Sequence, residues 1–420
     1  MPVFKLKNNM KNFNLIVGLI LLFTAEILRA YLIMPLPGSQ VSNTIALAFW
    51  MANNIIWIRI LALVLIFFPV LNTLKKGNIW KKISLSLTLV FYVIIFFFFN
   101  YHFEADKMFS QPKQKRFATT ANDTTNRDKL VIGVVINGEA KAYPIQIIGY
   151  HHQVMDTVGN TPVMITYCTV CRSGRVYSPY INGKKVNFRL VGMDHFNAMF
   201  EDAATGTWWQ QATGKAIAGP LKGAAVKQIP FKQLSLAAWL REYPHSNVMQ
   251  PDTNFKKDYN DLADYDDGTI NGNLEKRDSA SWKLKSWVVG VMYKNAAKAY
   301  DWNQLVDNKI INDSVEGLSV LLTLENDGAS FHVFDRRVNG QILSFGRRED
   351  DLFIDKNTLS TWNMDGLCVE GVLKGFKLSV VQSYQEFWHS WNTFHPNTLR
   401  YTSTNNFSSR ETKKTFYDYL

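Results

Sequence analysis

Cysteine is scarce, with three in 420 residues. That excludes a scaffold stapled by several disulfides. Charged residues make up only 19% against 47% hydrophobic, which excludes intrinsic disorder as the main state. Acidic residues are nearly absent from the first quarter of the chain. Residues 1–102 hold nine Lys/Arg and one acid, Glu26. Beyond 102 there are 37 basic and 34 acidic residues, a net of +3. The overall charge of +11 therefore gives no electrostatic case for a nucleic-acid partner.

Three long apolar runs are present, over 15–34, 55–71 (with a start as early as 45) and 83–99. Each is long enough to cross the hydrocarbon as a helix. Tyr31, Trp80 and Tyr101 fall near the ends of these spans, where interfacial rings are favoured. Lys5, Lys7 and Lys11 precede the first span, and Lys75, Lys76, Lys81 and Lys82 separate the second from the third. The loop 35–44 is uncharged. The positive-inside rule then predicts a multi-pass protein with its N-terminus inside and everything after about 101 outside. A cleaved signal peptide is the weaker reading, because no small-x-small site follows the first run. Glu26 and Arg29 share one helical face, and Asn53, Asn54 and Arg59 lie in or beside the second span. An i,i+3 ion pair with interhelical hydrogen bonds is the plain expectation. The alternative is a functional polar path.

The polar stretch 103–128 reads as a linker. After it comes an internal repeat at an offset of 157 residues. Val131 to Tyr143 reads onto Val288 to Tyr300, Gly133 onto Gly290, Asp156 onto Asp313 and Thr166 onto Thr323. Further on, Thr207-Trp208 is set against Thr361-Trp362, Gly219 against Gly371 and Trp239 against Trp391. The expected organisation is a membrane anchor (1–102), the linker, copy one (129–250), a connecting segment (251–283), copy two (284–403) and a polar tail (404–420). Strands alternate around the turn signals Asn137-Gly138, Gly159-Asn160 and Asn182-Gly183. A short helix is expected after Pro144, and an amphipathic helix over 231–242. The fold class is α+β, with three transmembrane helices followed by two duplicated, β-rich domains.

Copy one alone carries His151-His152, Cys168-Thr169-Val170-Cys171, Met193 and His195. At the repeat offset the second copy has Asn308, Lys309, Glu325 and Gly328 opposite His151, His152, Cys168 and Cys171. A site in copy one would leave this pattern. Two cysteines on one turn are close enough for a chelate or a disulfide. With His151 and His152 they would form a mixed sulfur/nitrogen site for copper or zinc, with Met193 and His195 as weaker ligands. The second reading is redox, with Cys168 and Cys171 as a catalytic thiol pair. The third is a structural role. Arg172 stands where a c-type haem attachment needs His.

Other signals are weaker. Cys368 reads as a small buried residue. His102, His245, His332, His389 and His395 show no cluster in sequence. Asp261, Asp264, Asp266, Asp267 and Gly268 form an acidic turn with a minor calcium reading. Trp209 has no counterpart in this alignment of the copies, so it is the candidate for a surface role.

At these residues the chain resembles a bacterial family of secreted or membrane-anchored proteins described only as a domain of unknown function. The motifs are Tyr143-Pro144, His151, Met155-Asp156, Asn160-Thr161-Pro162 and Thr166-Tyr167-Cys168-Thr169-Val170-Cys171. A later stretch takes in Gly192, Asn197, Met199, Asp202, Trp208 to Gln211, Gly214 and Gly219. His152 stands where the family has Glu, and Met155 where it has Asn. Together with the spans, the expectation is a protein of the bacterial cytoplasmic membrane, facing outward, with the lipid bilayer as partner and envelope proteins as candidate further partners. It supplies no reaction, so it leaves open whether the chain is an enzyme.

Overall fold

The computed structural model describes residues 2–402, with side chains from residue 12 onward. The expected tail 404–420 lies outside the described residues.

Three helices open the chain: α1 (Pro2–Ile33), α2 (Ile45–Lys76) and α3 (Ile79–Phe97). All three carry segments long and apolar enough to cross a membrane. The α2–α3 turn has a local cause. Lys75 and Lys76 sit in the last turn of α2, where cations suit the helix dipole. Asn78 caps α3 by accepting the amide of Lys81 at 3.0 Å. A π-helical turn, Phe98–His102, extends α3.

The polar groups of the spans converge, but not in the expected i,i+3 pair. Glu26 pairs with Arg59 of the second span, through Nε at 2.7 Å and Nη2 at 2.8 Å. Asn100 donates to Glu26 at 3.0 Å and accepts from both Arg59 and Arg29. Helix crossing puts Arg59 nearer the carboxylate than the same-helix arginine. Asn53 and Asn54 bond their own helix four residues back.

The β-rich part begins earlier than expected. Within the predicted linker, β1 (Arg116–Thr119) pairs antiparallel with Asn247–Gln250. Phe117 gives it an apolar anchor by packing edge-on against Tyr143. Next come β2 (Leu130–Ile136) and β3 (Glu139–Pro144), joined at Asn137-Gly138, where both residues take positive φ. Then β4 (Gln153–Val158), β5 (Thr161–Cys168) and β6 (Ser173–Tyr177) form a second sheet. The first sheet runs β1, Asn247–Gln250, β3, β2, Lys232–Ser235. Residues 232–235 are thus a strand rather than helix, because they pair with β2. The helix starts only at Leu236, where Ser235 accepts the amide of Ala238.

The later residues repeat this order. Ser383–Phe387, Trp287–Tyr293, Ala296–Asp301 and Leu399–Arg400 form one sheet with a single parallel pair, as β3 forms with Asn247–Gln250 in the first sheet. Here that pair lies at the edge, since among the described residues no counterpart of β1 joins it. The same local devices recur. Tyr143 donates to Asp156 at 2.7 Å, and Tyr300 to Asp313 at 2.9 Å. His152 and Lys309 both end short helices in the left-handed conformation. The tryptophan alignment needs correcting by one residue. Trp209 Nε1 donates to Asp202, and Trp362 Nε1 to Asp355, so Trp209 is the counterpart of Trp362. Both are buried, so Trp209 has no surface role.

The two halves share one core. Tyr143, Ile148 and Ile165 belong to the same buried cluster as Val288, Tyr384 and Trp391. The connecting segment is also built in. Phe255, Tyr259 and Tyr265 are buried in that cluster. Its acidic turn is used internally, with Asp266 accepting the amide of Leu130 and Asp267 capping Thr269.

Candidate functional site

Strand β5 ends at Cys168, and a tight loop carries the chain to β6 at Ser173. The amide of Cys171 reaches back to the carbonyl of Cys168 at 3.3 Å, and that of Arg172 to Thr169 at 3.2 Å. Arg172 takes a positive φ to close the loop. Its buried guanidinium lies 3.7 Å over the Trp287 ring and donates to Gln385 and to the carbonyls of Tyr265 and Asp266. The cysteine loop is therefore held by the connecting segment and by the second half of the chain.

Both cysteines are fully buried, and no disulfide joins them. Each sulfur faces the carbonyl of Phe196, at 3.6 Å from Cys168 and 3.4 Å from Cys171. Phe196 sits in a two-residue hairpin turn with His195, between the paired residues Asp194 and Asn197. His195 and Phe196 have φ of 50° and 64°, the signature of a turn that favours Asn-Gly. A bulky Phe there is costly. The cost goes with aiming its carbonyl at the two sulfurs.

The second half supplies the rest. The amide of Phe387 donates to the carbonyl of Cys171 at 2.9 Å. Lys285 is buried and donates to the carbonyls of Val170, at 2.7 Å, and Leu274. His389 Nε2 lies 3.0 Å from the Val170 carbonyl and 3.3 Å from Lys285 Nζ. Lys285 and His389 were invisible in sequence, since each lies more than 100 residues from Val170. No spacing motif links such positions.

This environment separates the two thiols. Burial pushes Cys168 up. A hydrogen bond from Cys171, the amides of Ala198 and Cys171, and the charge of Lys285 outweigh it and hold the thiol below its ordinary value. Burial and the neighbouring Cys168 push Cys171 well above. Burial brings Lys285 down to about 8, against the attraction of Cys171 and Glu275. His389 is held well below its usual range by burial and by Lys285.

The other predicted ligands are used differently. His151 is buried, with Nδ1 on the carbonyl of Ser110 and Nε2 on the Tyr259 hydroxyl at 2.7 Å. His152 bonds the Tyr150 carbonyl at 3.1 Å and packs on Phe109. His195 pairs with Asp194 at 2.6 Å, which holds the imidazole above its ordinary value. Met193 is buried in the same apolar cluster as the cysteines. Among the described residues, no group of three or more His, Cys, Asp and Glu is arranged to hold a metal ion.

A polar network adjoins the loop. Gln211 accepts from Ser173 and Asn197, each at 2.8 Å, and donates to Thr166 at 3.1 Å, all buried. Asn197 and Gln211 both fall within the family stretch read from sequence. At the position matching Cys168, Glu325 pairs instead with His332 and with Arg241 of the first half.

These features define a membrane-anchored α+β protein with a buried thiol pair enclosed by both halves of its β-rich part. The chain belongs to the family described as "Protein of unknown function (DUF3179)", whose model matches residues 110–398. The matched stretch takes in β1, both halves and the connecting segment as one unit. No curated protein and no solved structure matches the chain.

Proposed function

We propose that this is a thiol–disulfide redox protein of the bacterial cytoplasmic membrane, working outside the membrane, with Cys168 as nucleophile and Cys171 as its partner thiol. The observation that carries the reading is Lys285. A buried ammonium ion bound to the carbonyl between the two cysteines is costly to place. It favours a thiolate at Cys168. A pair with one acidic and one weakly acidic thiol suits attack by the first and resolution by the second. The outward orientation rests on the lysines flanking the first two spans. The recurring sheet order and the paired Tyr–Asp and Trp–Asp contacts support a gene duplication in which only the first copy kept the thiols.

A single copper(I) ion on Cys168 and Cys171 is the second reading. Two thiolates facing each other, without a third donor gathered, suit that soft ion better than zinc, which takes four ligands.

One experiment separates the two. The full chain is purified in detergent without chelators, its metal content measured, and its thiols titrated against redox buffers with trapping by alkylation. Reversible loss of two thiols with a defined midpoint, without bound metal, supports the redox reading. Stoichiometric copper lost in Cys168→Ser replaces it with the second. Two thiols that never oxidise and bind no metal sink both.

A further inference from the structure

A cavity of about 340 Å³ lies where the membrane helices meet the β-rich part. Met34, one residue beyond α1, forms one wall, and Phe109, shortly after α3, another. Leu190 and Leu262 line it from the β-rich part and the connecting segment. Thr169 and Val170, the two residues between the cysteines, also line it, as does Glu275. The volume is that of a small-molecule site, and most of the lining is apolar.

Two facts narrow the occupant. The wall at Met34 continues a helix long and apolar enough to lie in the bilayer, which puts the cavity at the membrane edge, where apolar ligands concentrate. The lining at Thr169 and Val170 is the peptide that links the thiols, so a bound ring meets the redox loop at its backbone, one residue from each buried sulfur. A dithiol that works repeatedly needs a two-electron acceptor. A soluble one gains nothing from an apolar cavity at the membrane edge, whereas a lipid-soluble one does.

We infer that this cavity binds a membrane quinone that reoxidises the Cys168/Cys171 dithiol. The inference rests on the dithiol reading above. In the reaction the two S–H bonds break and one S–S bond forms. The two electrons and two protons pass to the two carbonyl oxygens of the quinone, which leaves as the hydroquinone. Glu275 lines the cavity together with His152, Asp258 and Asp261, ionisable groups that can pass the protons on. The Glu275 carboxyl is pushed above its ordinary value by burial, against the charge of Lys285.

The test uses the full chain in detergent, reduced, freed of reductant and kept anaerobic. Decylubiquinone is added, and quinone absorbance is followed alongside thiols alkylated under denaturation. The expected result is one quinone consumed for every two thiols lost. Met34→Trp fills the cavity from its membrane wall and should slow this at least tenfold, with oxidation by the soluble azo reagent diamide unchanged. Leu190→Trp fills it from the β-rich part and guards against a folding defect in either variant. Oxidation by diamide but not by quinone would overturn the quinone site and leave the dithiol reading standing. Quinone turnover untouched by both fillings would place the quinone elsewhere and overturn the inference. Thiols inert to both oxidants would remove the dithiol reading and the quinone site together.

Discussion

Lys285 Nζ donates to the carbonyl of Val170 at 2.7 Å, and Val170 is the neighbour of Cys171. A residue of the second half thus holds the loop that carries the thiols of the first. Lys285→Met keeps most of the apolar stem and removes the ammonium, which lies 4.6 Å over the Phe387 ring. The charge of that buried ammonium acts on Cys168. The pKa of the Cys168 thiol should rise, and the pH at which a small thiol reagent reaches half its full rate with it should rise too. The pH profile of alkylation, read by mass spectrometry, checks this. An unchanged profile would remove Lys285 from the mechanism.

Gly133 and Gly290 hold equivalent places. A Cβ on either would come within 2.2 Å of a tryptophan ring, Trp239 in one case and Trp391 in the other. Both rings are fully buried, so neither can move aside cheaply. Gly133→Ala and Gly290→Ala should each cost about 1–3 kcal/mol, the usual range for overpacking. Thermal unfolding of the two variants measures this. Similar losses support two copies of one unit, and a large loss at one site only would argue against it.

These positions also mark what the sequence could disclose. Val131 to Tyr143 and Val288 to Tyr300 carry local signals: runs of apolar residues and, in the first copy, the Asn137-Gly138 turn. Periodicity and turn chemistry are local, so the strands and the three spans were legible. The strand Lys232–Ser235 was not, because pairing with β2 overrides the helical pattern that includes Leu234. The thiol pair was legible as a motif, but its surroundings were not. Lys285, His389 and the Phe196 carbonyl come to it through tertiary packing, with no fixed spacing. His151 and His152 were adjacent in sequence and plausible as ligands, yet helix geometry sends His151 towards Ser110 and Tyr259.

Glu26 is fully buried and bound by Arg59 through two hydrogen bonds. Removing one partner leaves a charge with no counterion at membrane depth. Glu26→Ala should therefore destabilise the helical anchor by about 3–5 kcal/mol. The double variant Glu26→Leu/Arg59→Leu removes both charges and should lose much less. Unfolding in detergent, compared across the two variants, tests the pair. Equal losses would mean that the ion pair acts through packing alone.

His152 links stability to pH. Burial holds its imidazole down at about 4, and the neighbouring His151 adds to the effect. The unfolded chain protonates His152 near its ordinary value of about 6.5. Between these values the unfolded state binds a proton that the folded state refuses, so stability falls as pH drops from about 6.5 towards 4. Above 6.5 the residue contributes no pH dependence. The full effect is about 3 kcal/mol, of which about 2 kcal/mol is lost by pH 5. His151 and His389 are also held low by burial, so the native protein alone cannot isolate the contribution. His152→Asn can, because asparagine tolerates the left-handed conformation that this helix end requires. Unfolding of both proteins at pH 7.5 and pH 5 should show the native chain losing about 2 kcal/mol more than the variant. Equal losses would mean that His152 is protonated in the fold, and that a counter-charge or water reaches it beside Phe109.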